Sequence, residues 1–170
     1  MRKITVAVVL SSAAAALLVG CSGVESASTG EGSKPAASKS DVAAAGSTVR
    51  DGKFEFTVKG IDRAKTVGDP DNEFMTVDAQ GEFIVVTLGV TNIGNEAQSF
   101  FSDNQKLMDD QGRTFKANTE ADIWLNQGTH EINPGNAVEV KLALDVPPGT
   151  VPASLQLHDS MFSGGVKVGV

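Results

Sequence analysis

Three sets of side chains in this 170-residue sequence have the types that chemistry needs, and their spacing decides what each could do. Asp69, Asp71 and Glu73 place a carboxylate at every second position, as the first half of a calcium loop does. The match then fails twice. Phe74 stands where such a loop needs glycine for its sharp turn, and Gln80 stands where the bidentate glutamate belongs. The helix-loop-helix form is thereby excluded, and an irregular acidic loop is what remains for a metal. His130, His158, Met75, Met108 and Met161 supply the soft nitrogen and sulfur donors that copper favours, but only a fold that gathers distant side chains would make them a site. His158, Asp159 and Ser160 carry the letters of a hydrolytic triad. On a strand, however, neighbours point to opposite faces, and triads are assembled from separate elements. No Gly-x-Ser-x-Gly elbow and no phosphate-cradling glycine loop is present. The sequence therefore predicts a protein that is not an enzyme, with no catalytic residue and no bound cofactor.

Aromatic residues offer a different kind of site. Phe100 and Phe101 are adjacent and must point to opposite sides of any strand, while Trp124 and Phe162 fall in predicted connections. Exposed aromatics rimmed by charge mark partner sites, which makes Phe101 and Trp124 the candidate binding residues, with the acidic loop from Asp69 to Glu73 beside them. A nucleic-acid partner is excluded: 14 Lys and Arg against 21 Asp and Glu give a net charge of −7, whereas a phosphate-binding surface needs clustered cations.

The elements that must position these residues begin with an address. Arg2 and Lys3 form a basic start, and Ile4 to Gly20 forms an apolar run that at about 1.5 Å per residue spans roughly 25 Å, short of a bilayer core of about 30 Å. Its small-residue end reads as a processed secretory signal over residues 1–20. The sequence Leu18-Val19-Gly20-Cys21 resembles the lipobox of bacterial lipoproteins, in which a diacylglyceryl group is added to the cysteine thiol before the signal peptidase cuts ahead of it. Cys21 is the only cysteine, so it is the expected lipidation site and no disulfide can form within the chain. Two or three acyl chains there would anchor stably in the membrane, where one chain binds only marginally. Loss of Arg2 and Lys3 takes the side-chain charge to −9, a sign that an anionic membrane repels.

Residues 21–47 then collapse to Ser, Ala, Gly and a few charges, which predicts a disordered, flexible linker with an r.m.s. reach of about 30 Å. From Thr48 to Val170 the pattern changes to period two. Phe54, Phe56 and Val58 alternate with charged and polar residues. Ile84, Val86, Leu88 and Val90 share one phase of a second strand that is apolar on both faces, so it should be central. Val138, Val140, Leu142, Leu144 and Val146 alternate with Glu139, Lys141 and Asp145, and a one-residue slip would bury those three charges. Shorter strands fit at Gln98 to Ser102, Lys106 to Met108, Thr114 to Ala117, Ala153 to His158 and Gly165 to Val168. Asn-Ile-Gly-Asn, Asp-x-x-Gly, Asn-Pro-Gly and Pro-Pro-Gly turns separate them, and Ala121 to Gln127 is the one helical turn. The expectation is an all-β, two-sheet antiparallel sandwich of immunoglobulin type with about seven or eight strands.

The stretch from Gly81 to Asn95 (GEFIVVTLGVTNIGN), then Leu107 to Phe115 (LMDDQGRTF), then Ile132 to Gly135 (INPG), is similar to a telokin-like family of bacterial lipoproteins and secreted proteins. That family carries a domain of unknown function and is similar in fold to the mycobacterial secreted immunoprotective antigen. The resemblance implies an immunoglobulin-like fold, a location outside the cytoplasm and no established activity. Together these readings predict a lipoprotein held on the extracytoplasmic face of the cell membrane through Cys21, presenting a non-catalytic module to a protein or envelope component. The alternative is a calcium- or copper-binding module of the envelope. Cys21→Ala is expected to move the protein from the membrane fraction to the soluble fraction; unchanged membrane partitioning would contradict the lipid anchor.

Overall fold

The computed structural model describes residues 42–127 and 131–170, apart from the side chain of Glu73, and all of them lie in the unit Ser38–Val170. The signal segment, Cys21, the linker as far as Asp41, and His130 lie outside the described residues. The described chain forms strands β1 (Val42–Ala43), β2 (Thr48–Asp51), β3 (Phe54–Gly68), β4 (Thr76–Asn92), β5 (Gln98–Ser99), β6 (Lys106–Asp109), β7 (Thr114–Lys116), β8 (Glu131–Ile132), β9 (Ala137–Val146), β10 (Pro152–Leu157) and β11 (Val166–Gly169). One α-helix, α1 (Thr119–Asn126), and two 3-10 turns, Glu73–Met75 and Ser102–Asn104, complete it. No helix among the described residues is long and apolar enough to cross a membrane.

The strands form a β-sandwich. One sheet has the order β1-β11-β10-β6-β7 and the other β2-β3-β4-β9, while β5 and β8 pair in a ladder of their own. Every pairing is antiparallel except that of β1 with β11. The eleven strands exceed the seven or eight expected by β1 and β8, two residues each and too short to show a period, and by β2, while the strand expected at Gln98 to Ser102 is reduced to Gln98–Ser99. Strand β1 also starts the sandwich at Val42, ahead of the expected start at Thr48, by pairing Val42 with Lys167 and Ala43 with Val168.

Strand β4 shows why an apolar pattern in both phases demands the centre of a sheet. Ile84, Val86, Leu88 and Val90 face the core between the sheets, where they meet Leu142, Leu144, Leu107, Leu155 and Leu157, all at most 1% exposed. Phe83 and Val85, in the other phase, are buried on the outer face under α1 with Val67, Val77, Ala121 and Ala143. Helix α1 covers that face because Ala121, Trp124 and Leu125 recur at the i, i+3, i+4 spacing of one helix side. Strand β9 holds the register predicted for it, pairing Leu142 with Val86 and Leu144 with Ile84 while Glu139 and Lys141 stay exposed. Phe54, Phe56 and Phe100 close one end of the core with ring centroids 6.0 to 6.2 Å apart, a separation at which tilted and edge-on pairs attract.

At the other end, the Asp-x-x-Gly turn is built around Asp109. Its carboxylate accepts the backbone N–H of Gln111 (3.0 Å) and of Arg113 (2.7 Å) through Oδ1 and the Arg113 Nε–H (2.6 Å) through Oδ2, while Gly112 turns at φ +79°. Burial pushes this carboxyl up, but the Arg113 side-chain and backbone bonds, the guanidinium charge and the Gln111 N–H outweigh it and hold the group below the ordinary carboxylate range. A folded-state pKa below the unfolded value of about 3.9 contributes stability that is complete above that value and is lost as pH falls through the lower one. Asp109→Asn should therefore melt at a lower temperature than the parent at pH 7, with the gap narrowing under acid conditions; melting curves of the two proteins that run parallel from neutral to acid pH would contradict this.

Candidate functional site

The end of the sandwich marked by the phenylalanine cluster carries the irregular segments, and each must find partners for its backbone without a ladder to supply them. Two buried carboxamides do so. Asn92, fully buried at the end of β4, donates through Nδ2 to the carbonyls of Glu96 and Ile132, both at 2.7 Å, and accepts the Gly94 N–H through Oδ1 at 2.8 Å. This folds the turn after β4 back and holds β8, hence β5, against the end of the sheet. Gln105, also fully buried, donates through Nε2 to the carbonyls of Phe101 (2.9 Å) and His158 (3.0 Å) and accepts the His158 N–H through Oε1 at 2.8 Å. Its amide pairs with His158 as a strand neighbour would. The loop that follows His158 is pinned next by Asp159, whose N–H donates to Asp51 (2.8 Å) and whose carboxylate accepts the Lys53 N–H (3.3 Å).

Between these two anchored walls lies a groove of about 660 Å³ lined by Ala97, Gln98, Ser99 and Phe101 on one side and Asp159 to Phe162 on the other, with Asp103 and Asn104 between them. Its volume lies within the roughly 300–1,000 Å³ of ligand sites. Phe101 is 55% exposed, Met161 73% and Phe162 91%. A smaller hollow of about 190 Å³ shares Asp103, Asn104 and Met161 with it and adds Lys106, Lys116 and His158. The His158 ring is buried against Gly165, whose φ of +71° and missing Cβ leave room for it. Nδ1 of that ring lies 3.2 Å from the Ser163 hydroxyl, and Nε2 is buried with no partner among the described residues.

The residues predicted from sequence are not gathered in one place. Phe101 lines the groove, and its neighbour Phe100 packs inward at 2% exposure, so the dipeptide divides as strand geometry requires. Trp124 lies elsewhere, half-buried under α1, where its role is to pack that helix on β3, β4 and β9. Asp69 and Asp71 are exposed on the loop between β3 and β4, and the Asp69 carboxylate accepts the Asp71 N–H at 3.0 Å, closing the turn on itself. Glu73 opens the 3-10 turn that follows. Among the described residues no three His, Cys, Asp or Glu side chains converge on a point that would hold a metal. The letters His158, Asp159 and Ser160 do not form a relay: the imidazole meets Ser163, and the Asp159 carboxylate meets the Lys53 backbone. Sequence reasoning missed Gln105 altogether and took Asn92 only as a turn residue. Met161 stood out only as a copper donor.

Gln105→Leu keeps the size of the side chain and removes both partners of the His158 backbone. Each group so stranded costs about 1–3 kcal/mol, against less than about 0.5 kcal/mol for Gln111→Leu on the surface. Equal unfolding free energies for the two variants in urea titration would contradict the anchoring role.

Comparison with known proteins bears on the fold. No curated protein sequence matches the chain. Among solved structures it is similar to the secreted protein MPT63 of Mycobacterium tuberculosis at 12% identity, covering 76% of this chain and 96% of that one with a TM-score of 0.55. The yjhA protein of Bacillus subtilis is similar at 15% identity over 76% and 99% of the two chains, with a TM-score of 0.54. An uncharacterized β-sandwich protein of Clostridium difficile is similar at 13% identity over 79% and 97%, with a TM-score of 0.51. At these identities the likeness is one of fold. Residues 43–168 match the model of a domain of unknown function, and the chain belongs to that family, DUF4352.

Proposed function

We propose that the chain is a lipid-anchored, extracytoplasmic and non-catalytic binding module that captures a protein or envelope component in the groove between β5 and the His158–Phe162 segment. The observation that carries this reading is the convergence of Phe101, Met161 and Phe162, all largely exposed, on one groove. Single exposed apolar residues are ordinary on a protein surface, whereas a cluster rimmed by polar groups marks an interaction site. Phe74 is exposed at the opposite end, where the hollow of about 370 Å³ is lined by Thr66, Val67, Gly68, Pro70 and Thr76 without it. A hollow of about 420 Å³ at Gln80, Gly81 and Asp145 to Pro148 holds no aromatic or sulfur side chain.

The domain order supports presentation of such a site. A signal over residues 1–20, a lipidated Cys21 and a tether from there to β1 would leave about 20 residues outside the sandwich, with an r.m.s. reach of about 25 Å. That reach clears lipid headgroups. The secreted status of MPT63 is in keeping with a location outside the cytoplasm. Lipid on Cys21 would supply the membrane contact, while the acidic character of the chain would keep the module itself off an anionic surface.

A photoreactive residue in place of Phe162, tested in intact cells beside the same residue in place of Phe74, checks the reading. Both sites are more than four-fifths exposed, so surface collisions affect them alike. Adducts to a partner are expected from position 162 and not from 74. Equal yields from the two positions, or none from 162, would contradict a site in the groove.

A further inference from the structure

Three consecutive residues, Ala97, Gln98 and Ser99, all line the groove. Successive side chains of a strand point to opposite faces, so a hollow that touches both residues of β5, Gln98 and Ser99, runs along its edge, not over one of its faces. The pairs Gln98–Ile132 and Ser99–Glu131 place β8 on one edge, and neither Glu131 nor Ile132 lines the groove. The edge that faces the groove is therefore the unpaired one, since β5 has no second strand among the described residues. In an antiparallel ladder, alternate residues turn their N–H and C=O away from the partner strand, so this edge offers backbone groups to whatever lies in the groove.

The ionisable side chains that line the groove are acidic. Asp103 and Asp159 are the ionisable residues that line the groove, and neither belongs to an ion pair among the described residues. No lysine or arginine lines it. Lys53, outside the lining, donates through Nζ to Gln98 Oε1 at 3.3 Å, while Lys106 and Lys116 face the smaller hollow. Phe101 on one wall and Met161 and Phe162 on the other supply apolar contact beside these carboxylates. The net charge of −7 adds a long-range preference for a cationic approach.

Resting on the groove as the binding site, we propose that its occupant is an extended peptide segment of a partner protein, with apolar residues interleaved with lysine or arginine, which adds to the open edge of β5. Backbone bonds to β5 supply pairing that is independent of sequence, alternate apolar side chains seat against Phe101, Met161 and Phe162, and the basic ones meet Asp103 and Asp159.

The test uses the full chain and a short peptide of alternating valine and lysine, read by the backbone amide resonances of Gln98, Ser99, Asp103 and Asp159. Saturable shifts at these amides are expected. Binding should weaken about tenfold when the peptide amides that face β5 are N-methylated, the loss of one or two hydrogen bonds, and by at least as much when glutamate replaces lysine. Phe162→Ser should weaken it similarly without shifting the amides of β4. Equal affinity of the N-methylated or glutamate peptides overturns strand addition or charge matching respectively. Shifts produced by phosphatidylglycerol vesicles and not by the peptide would reassign the groove to lipid, and shifts with protein concentration alone would reassign it to a second copy. Adducts from position 162 in cells without peptide binding overturn the peptide and leave the groove as the site; absence of both overturns the two together.

Discussion

The arrangement depends on one constraint: backbone N–H and C=O groups buried at the end of a sandwich must be bonded even where no strand is available to bond them. Asn92 and Gln105 meet it from within the protein, each with three hydrogen bonds to main-chain groups, of which one from Asn92 reaches 40 residues along the chain and two from Gln105 reach 53. A carboxamide suits the task because one planar group both donates and accepts, as a peptide unit does. Asn92 fixes the segment that leads to β5, and Gln105 fixes Phe101 and the start of the loop that ends at Phe162. The two walls of the groove are thus set by buried polar chemistry.

That division explains how exposed apolar side chains are tolerated there. Phe100 packs on Phe54 and Phe56, so the main chain of Phe101 is held whatever its ring does. Ser102 extends the brace by donating to Asp122 of α1, which in turn accepts from Asn126. The helix that covers the outer face of β4 therefore also steadies the 3-10 turn beside the groove. At the far end Asp109 plays the corresponding part for its own turn, with a carboxylate and a guanidinium in place of an amide. Both ends are ordered by side chain to backbone bonds, and the groove lined by Phe101, Met161 and Phe162 lies at one of them.

The sheet strands were largely legible in sequence because period two reports burial directly: β9 reads correctly in phase and place, and β4 in phase over Phe83 to Val90, although it begins at Thr76. Strand β3 was seen only to Val58. Beyond it, irregularities in pairing between Val58 and Gly60 and between Ala64 and Thr66 shift the phase, so the alternation dissolves while the ladder with β4 continues to Gly68. Trp124 was weighed as a binding residue, although its spacing from Ala121 and Leu125 is that of a packed helix face. The groove could not be read in advance. It is made by side-chain amides reaching across 40 residues from Asn92 to Ile132 and 53 from Gln105 to His158, and such contacts leave no period in the chain. Phe101 was legible as a candidate because the adjacent Phe100 and Phe101 had to point to opposite sides, but its companions Met161 and Phe162 joined it only through the fold.

Amide hydrogen exchange of the unliganded protein tests most directly whether the buried carboxamides hold the groove in place. The N–H groups of Gly94 and His158 have side-chain oxygens as their acceptors, Asn92 Oδ1 and Gln105 Oε1. If those bonds are as permanent as the ladders, both amides should exchange as slowly as those of Val86 and Leu142 in the core, through opening of the whole fold. Exchange of the two at the rate of the exposed Met161 and Phe162 amides would contradict the account and show the groove walls opening independently of the sandwich.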